Sequence, residues 1–116
     1  MTAVERYLAA LGTADWEALA GTLAPDVERI GPYRDVVRGR DAYAEFLRTT
    51  IVGLAGYELR VRRVLAAGAT VIVELDETVD DEGGRLRTDE VVVFDLADER
   101  ITRVAVYLQT SYRTCR

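Results

Sequence analysis

The sequence contains no lysine, no histidine and no asparagine, and its fifteen basic residues are all arginine. Gln109, Ser111 and Cys115 are each the sole residue of their kind. These absences exclude whole mechanisms. A lysine Schiff base is impossible, as are Ser-His-Asp and Cys-His nucleophile arrangements. Zinc centres built from His and Cys are excluded as well. No metal site and no cofactor are expected, and one cysteine cannot close a disulfide within the chain. Proton chemistry is left to Asp, Glu and Tyr, with Arg as a permanently charged donor.

No apolar run approaches the roughly 20 residues of a membrane span. Met1-Thr2-Ala3 leads directly into a charged amphipathic segment, so no secretory signal is read and a cytoplasmic location is expected. A net charge of −5 argues against a nucleic-acid partner, because phosphate binding needs a basic face. The local cluster Arg60, Arg62, Arg63 reads as a solvated strand edge. A length of 116 residues fits one domain, 1–116.

The first third is helix-patterned. Thr2 and Glu5 have capping-box spacing, and Val4, Tyr7, Leu8 and Leu11 then share one helical face up to Gly12. Trp16, Leu19, Ala20 and Leu23 repeat that spacing in a second helix, which Pro25 is expected to stop. Val27–Ile30 reads as a short strand broken by Gly31-Pro32. A third helix runs from Asp41 to about Thr50, with Tyr43, Phe46 and Leu47 on its apolar face. After Gly56 the period changes to two. Tyr57–Leu65, Val71–Val79, Arg85–Leu96 and Ile101–Tyr112 read as four long strands of an antiparallel meander. Segregation of helices from strands indicates an α+β class.

Two strands are apolar on both faces at their centres: Val91 to Phe94 and Val104 to Leu108. Helices can cover one face of a sheet, so the other face would present apolar surface to water. A homodimer through the open sheet face is the preferred reading. A strand centre covered by the C-terminal tail is the alternative.

Several segments carry a resemblance to a known family. Met1 to Leu11 resembles the first helix of bacterial ketosteroid isomerases. Asp15-Trp16-Glu17-Ala18-Leu19 and Leu23-Ala24-Pro25-Asp26-Val27 are similar to the family's second helix and its step into strand one. Arg38 to Phe46 resembles its third helix, and Phe94-Asp95-Leu96 with Asp98 to Ile101 its last hairpin. The chain is therefore identified as a member of the nuclear transport factor 2-like superfamily, in its SnoaL-like and ketosteroid-isomerase-like group. The resemblance implies a cone-shaped α+β fold, with three N-terminal helices packed on a curved antiparallel sheet. It also implies an apolar pocket inside the cone.

Roles carried over by resemblance are incomplete. The oxyanion tyrosine of ketosteroid isomerase falls on Tyr7, but its general base falls on Gly31 and its protonated aspartic acid on Val92. The Asp-Arg-Asp set of limonene epoxide hydrolase finds a similar spacing in Arg87-x-Asp89, but its second aspartate falls on Val106. Arg87 and Asp89 have opposite parity to Val92, so an exposed ion pair is the preferred reading.

Alternate strand residues share a face. The resemblance places Val92 and Phe94 inward, and Thr88 and Glu90 follow by parity. Val104, Val106 and Leu108 are expected inward on the last strand, and alignment places Ile72, Glu74 and Asp76 inward on the strand before the acidic turn. Glu74 lies in the apolar stretch Val71 to Leu75, where burial would raise its pKa. It is the first candidate for general acid or base, with Tyr7 in support. Pairing of Glu74 with Arg60 or Arg62 on a solvated face is the alternative. Asp76 and Glu90 are expected near each other across the hairpin. Trp16, Tyr43 and Phe46 are candidate walls, and Tyr33 and Arg34 lie at the mouth. The expected function is binding of a small apolar ligand, with cofactor-independent isomerisation, cyclisation or hydration if it is catalytic. A non-catalytic binding domain and a dimeric interaction domain of the same fold are the rivals.

Overall fold

A computed structural model describes residues 1–114; Cys115, expected to be exposed, lies outside the described residues. Helix α1 spans Ala3–Thr13. It opens on the capping box legible in the sequence: Thr2 accepts from the Glu5 backbone and the Glu5 carboxylate accepts from the Thr2 backbone. Two orphan amides are satisfied in this way. The face of Val4, Tyr7, Leu8 and Leu11 is buried.

Helix α2 is short, Trp16–Ala20, with Asp15 as its N-cap. Gly21 ends it, and the Thr22 hydroxyl donates to the Leu19 carbonyl at 2.7 Å. Pro25 is therefore not the helix stop; it lies within strand β1, Leu23–Ile30. The ladder from β1 to its neighbour is interrupted between Leu23 and Glu28. A residue without an N–H is tolerated in that gap. Strand β2, Val36–Arg38, folds back on β1, and helix α3 follows as Arg40–Val52.

The second half supplies β3 (Glu58–Ala67), β4 (Thr70–Asp81), β5 (Gly84–Ala97) and β6 (Arg100–Leu108). Each pairs antiparallel with the next. A two-residue strand β7, Tyr112–Arg113, pairs with the start of β5 beyond the end of β6.

One expectation is corrected. The sheet is not a curved, wholly antiparallel wall of a cone. It is an open path, β2-β1-β6-β5-β4-β3, with β2 and β3 as free edges and no strong curl. It is also mixed, because β1 runs parallel to β6. The chain enters β1 from α2 and reaches β6 only after the whole meander, so a long crossover connects them and permits parallel pairing. The class remains α+β, with three helices packed on one sheet face.

That packing makes the core. Leu19, Leu23, Val27, Tyr43, Val73, Phe94, Ile101 and Val104 are fully buried. Phe94 meets Tyr7 edge to face at 5.2 Å between centroids, and Tyr7 meets Tyr43 in the same way at 6.2 Å. Among the described residues, no helix is long and apolar enough to cross a membrane.

Candidate functional site

The register of the β4–β5 hairpin decides which side chains face the helices. A two-residue turn, Glu82-Gly83, pairs Asp81 with Gly84. Counting back gives Glu77 opposite Thr88, Leu75 opposite Glu90 and Val73 opposite Val92. Directly opposed residues share a face. The inner face of β4 therefore carries Val73, Leu75, Glu77 and Val79, not Ile72, Glu74 and Asp76.

This corrects three placements. Glu74 stands on the outer face, nearly half exposed, 3.7 Å from Arg63. Asp76 is on the outer face too, opposite Asp89 rather than near Glu90. Its carboxylate is buried under three guanidinium groups: Arg60 at 3.1 Å, Arg87 at 3.3 Å and Arg62 at 3.5 Å. Arg87 also holds Asp89 at 2.9 Å. The Arg-x-Asp pair thus belongs to an outer-face ion network. Ile72, half-buried, is on the same outer face, opposite Val93.

Between the helices and the inner face lies a cavity of about 570 Å³. Helix α1 contributes Tyr7, Leu8 and Leu11, and α3 contributes Phe46 and its neighbours one turn on. Strand β5 supplies Thr88, Glu90, Val92 and Phe94, and β6 supplies Val104, Val106 and Leu108. Tyr33, strongly exposed, stands at the mouth with Pro32 and Asp35. Trp16 is packed against the core outside the cavity wall. Tyr43 is fully buried behind the wall, and its hydroxyl meets that of Tyr7.

The cavity lining is mostly apolar, with a few polar groups set into it. The Tyr7 and Tyr43 hydroxyls are 2.5 Å apart. Burial pushes the Tyr7 hydroxyl well above its ordinary range, with Tyr43 adding to the effect. Burial likewise pushes Tyr43 up to about 12. Neither hydroxyl ionises near neutral pH, so both act as neutral donors and acceptors.

Across the cavity, the Tyr57 hydroxyl donates to Glu77 Oε2. Burial and then the Glu77 charge push the Tyr57 hydroxyl far up. Glu90 sits diagonally from Glu77 on the same face. Burial is the first cause that holds the Glu90 carboxyl well above the carboxylate range; its hydrogen bond with Glu77 and the charge of Glu77 follow. Arg29 pulls weakly the other way. Glu90 therefore keeps a proton at neutral pH.

Arg29, Asp35, Tyr57 and Glu77 escape the sequence reading. Arg29 and Asp35 flank the Gly-Pro break, where parity gives no guidance. Glu77 escapes because the inward set expected on β4, Ile72, Glu74 and Asp76, is one residue out of step with the observed register. The two-residue turn at Glu82-Gly83 carried the signal that would have found it.

Comparison with known proteins places this geometry. Residues 4–104 match the SnoaL-like domain. Epoxide hydrolase EphG of Mycobacterium tuberculosis is 32% identical over 102 residues, covering 86% of this chain and 66% of that protein, just under two thirds of its length. A solved LEH-like epoxide hydrolase of M. tuberculosis is 29% identical, with a TM-score of 0.79, over 92% of this chain and 80% of that one. A ketosteroid isomerase candidate from Kribbella flavida is 26% identical, with a TM-score of 0.83, over 98% of this chain and 80% of that one. The family match runs from the first turn of α1 into the middle of β6, and the chain belongs to the SnoaL-like domain family, in the ketosteroid-isomerase-like group of the nuclear transport factor 2-like superfamily.

Proposed function

We propose that the cavity is an acid–base site for a mostly apolar small molecule, operated by Glu77 and Glu90. The observation that carries this reading is the pair of carboxyl groups set diagonally on the inner face of β4 and β5, both lining a mostly apolar cavity. A pair that holds one proton offers a base and an acid at once. The Glu77 carboxylate takes a proton from one position of the ligand, and the Glu90 carboxyl delivers one to another. The pair ends with the same number of protons and needs no co-reactant, so isomerisation is the reaction class proposed first. Tyr57 orients Glu77 by its hydrogen bond. Tyr7 supports the wall that faces them.

The experiment is turnover of cyclic enones and related apolar isomerisable compounds by the wild type, Glu90→Gln and Glu77→Gln. Loss of about 10²-fold or more in kcat for each variant is expected, the usual weight of a positioned acid or base. Unchanged turnover in both variants sinks the assignment.

Similarity to EphG favours one second reading, epoxide hydration. The Glu90 carboxyl would protonate the epoxide oxygen while Glu77 takes a proton from the attacking water. Hydrolysis in ¹⁸O-labelled water, with one labelled oxygen in the diol, supports it; no diol from any apolar epoxide rejects it.

The outer sheet face supports a homodimer. Leu65 and Tyr107 are about half exposed there, around the half-buried Ile72, Val91 and Val93. A second copy would cover that stripe.

A further inference from the structure

Arg29 is the single arginine that lines the cavity among the described residues. It is held on β1 with its side chain 12% exposed, and its guanidinium lies 4.8 Å over the Phe46 ring. Its Nη1 is shut off from solvent and has no hydrogen-bond partner, the one such buried side-chain nitrogen or oxygen among the described residues. The carboxylate that faces it, Asp35 Oδ2, is 3.6 Å away, too far for a hydrogen bond, and 46% exposed. A buried guanidinium with an incomplete partner is costly. The cavity therefore holds a fixed positive charge whose present counter-ion satisfies it poorly.

Asp35 owes its place to an unusual loop. The Gly31 amide donates to the Asp35 carbonyl at 2.7 Å, and Arg34 adopts a left-handed φ of 67°. The Asp35 carboxyl group folds back over the Gly31 Cα. A Cβ at position 31 would stand 2.5 Å from Asp35 Cγ, and nearer to both carboxylate oxygens. The seat thus exists only because residue 31 has no side chain. It lies at the cavity mouth and holds the Asp35 carboxylate 3.6 Å from the Arg29 guanidinium, leaving the cavity side of Arg29 to a ligand.

We propose that Asp35 is an exchangeable counter-ion and that the ligand of this cavity is a mostly apolar carboxylic acid whose carboxylate displaces Asp35 from Arg29. This deepens the proposed acid–base function and rests on that reading for the identity of the site. A carboxylate free of a tether can adopt the bidentate geometry with the guanidinium that Asp35 misses. Its apolar body would run over Phe46 and Leu47 towards the carboxyl pair, and the displaced Asp35 moves into water.

The test is calorimetric binding of 2-naphthoate and of its neutral analogue 2-naphthamide. The proteins are the wild type, Asp35→Asn, Gly31→Ala and Arg29→Gln, each also carrying Glu90→Gln so that turnover plays no part. Asp35→Asn should bind naphthoate on the order of tenfold more tightly than the Asp35 parent, the weight of a charged hydrogen bond freed from competition. Gly31→Ala should do the same without any change of charge, because its Cβ evicts the Asp35 carboxylate, which is the mobile end of its side chain. Naphthamide should show neither gain, and Arg29→Gln should erase the preference for the acid. The proposal is overturned if Asp35→Asn binds acid and amide equally, if it binds no naphthoate at millimolar concentration, or if the preference survives in Arg29→Gln. Should Arg29→Gln fail to fold, the agreement or disagreement of Asp35→Asn with Gly31→Ala still decides it. Equal binding of acid and amide beside an intact Glu90→Gln turnover defect would reject the ligand class alone.

Discussion

Leu75 stands directly opposite Glu90 in the β4–β5 ladder. That one pairing puts Glu77 inside the cavity and sends Glu74 and Asp76 to the outer face. It makes Glu90 a buried acid with an acidic neighbour rather than a partner for Asp76. The consequences are measurable.

Glu90 should make stability fall as pH rises. Its folded-state pKa is raised, by burial first and by Glu77 second. A raised group contributes stability that is fully present below its unfolded pKa and is lost as pH rises through the folded value. Wild-type stability should therefore decline from the ordinary carboxylate range upward, by roughly 1–3 kcal/mol between about pH 5 and pH 8. Glu90→Gln, neutral throughout, should flatten that decline and exceed the wild type at the upper end. Urea denaturation across that range checks both slopes, and parallel slopes would refute the assignment of the buried proton to Glu90.

The Tyr7–Tyr43 hydroxyl contact should behave as a coupled pair. Tyr7→Phe leaves the buried Tyr43 hydroxyl without its 2.5 Å neighbour, at a cost of about 1–3 kcal/mol. The double variant Tyr7→Phe/Tyr43→Phe should cost less than the sum of the two single ones, since it leaves no stranded hydroxyl. Thermal or urea unfolding of the four proteins gives the coupling, and strict additivity would show that the contact carries nothing.

Asp76 should matter far more than any one of its arginines. It is 5% exposed, whereas Arg60 and Arg62 are 63% and 44% exposed. Asp76→Ala removes the shared counter-ion of three guanidinium groups and leaves Arg87, the best buried of them, to Asp89 alone, and should cost about 1–3 kcal/mol after allowance for the solvent around the other two. Arg60→Ala should cost under about 1 kcal/mol. Equal losses in the two variants would mean that the cluster is only a surface ion pair.

The outer face should hold two copies together. Light scattering at micromolar concentration should give twice the chain mass, and Tyr107→Glu should return it to the monomer with little loss of fold. A monomeric wild type would refute the reading of the doubly apolar strands.

Much of the fold was legible. The Thr2–Glu5 capping box, the heptad-like face from Val4 to Leu11, and the change of period after Gly56 correspond to α1 and to the β3–β6 meander. On β5 the resemblance set Val92 and Phe94 inward, and parity then carried Thr88 and Glu90 to the face that lines the cavity. Strand β4 did not yield to parity. Val71, Ile72, Val73 and Leu75 are apolar on both faces, so alternation there is blind, and a shift by one residue exchanges every side chain between faces. Pro25 misled for a similar reason: its missing N–H reads as a helix stop, but here it falls in a gap of the β1–β6 ladder.

By itself the sequence determined the three helices, the four long strands of the meander, the class and the chemistry available: carboxylates, tyrosines and arginines, with no lysine or histidine. These follow from local interactions and side-chain inventory. Only the tertiary structure decided that the sheet is open and mixed, because parallel pairing of β1 with β6 joins residues at least 75 apart in the chain, as in Ile30 with Ala105, and leaves no local trace. The same holds for the site. Glu77 meets Glu90, and Asp35 meets Arg29 above Gly31, through register and loop geometry that no short stretch of sequence encodes.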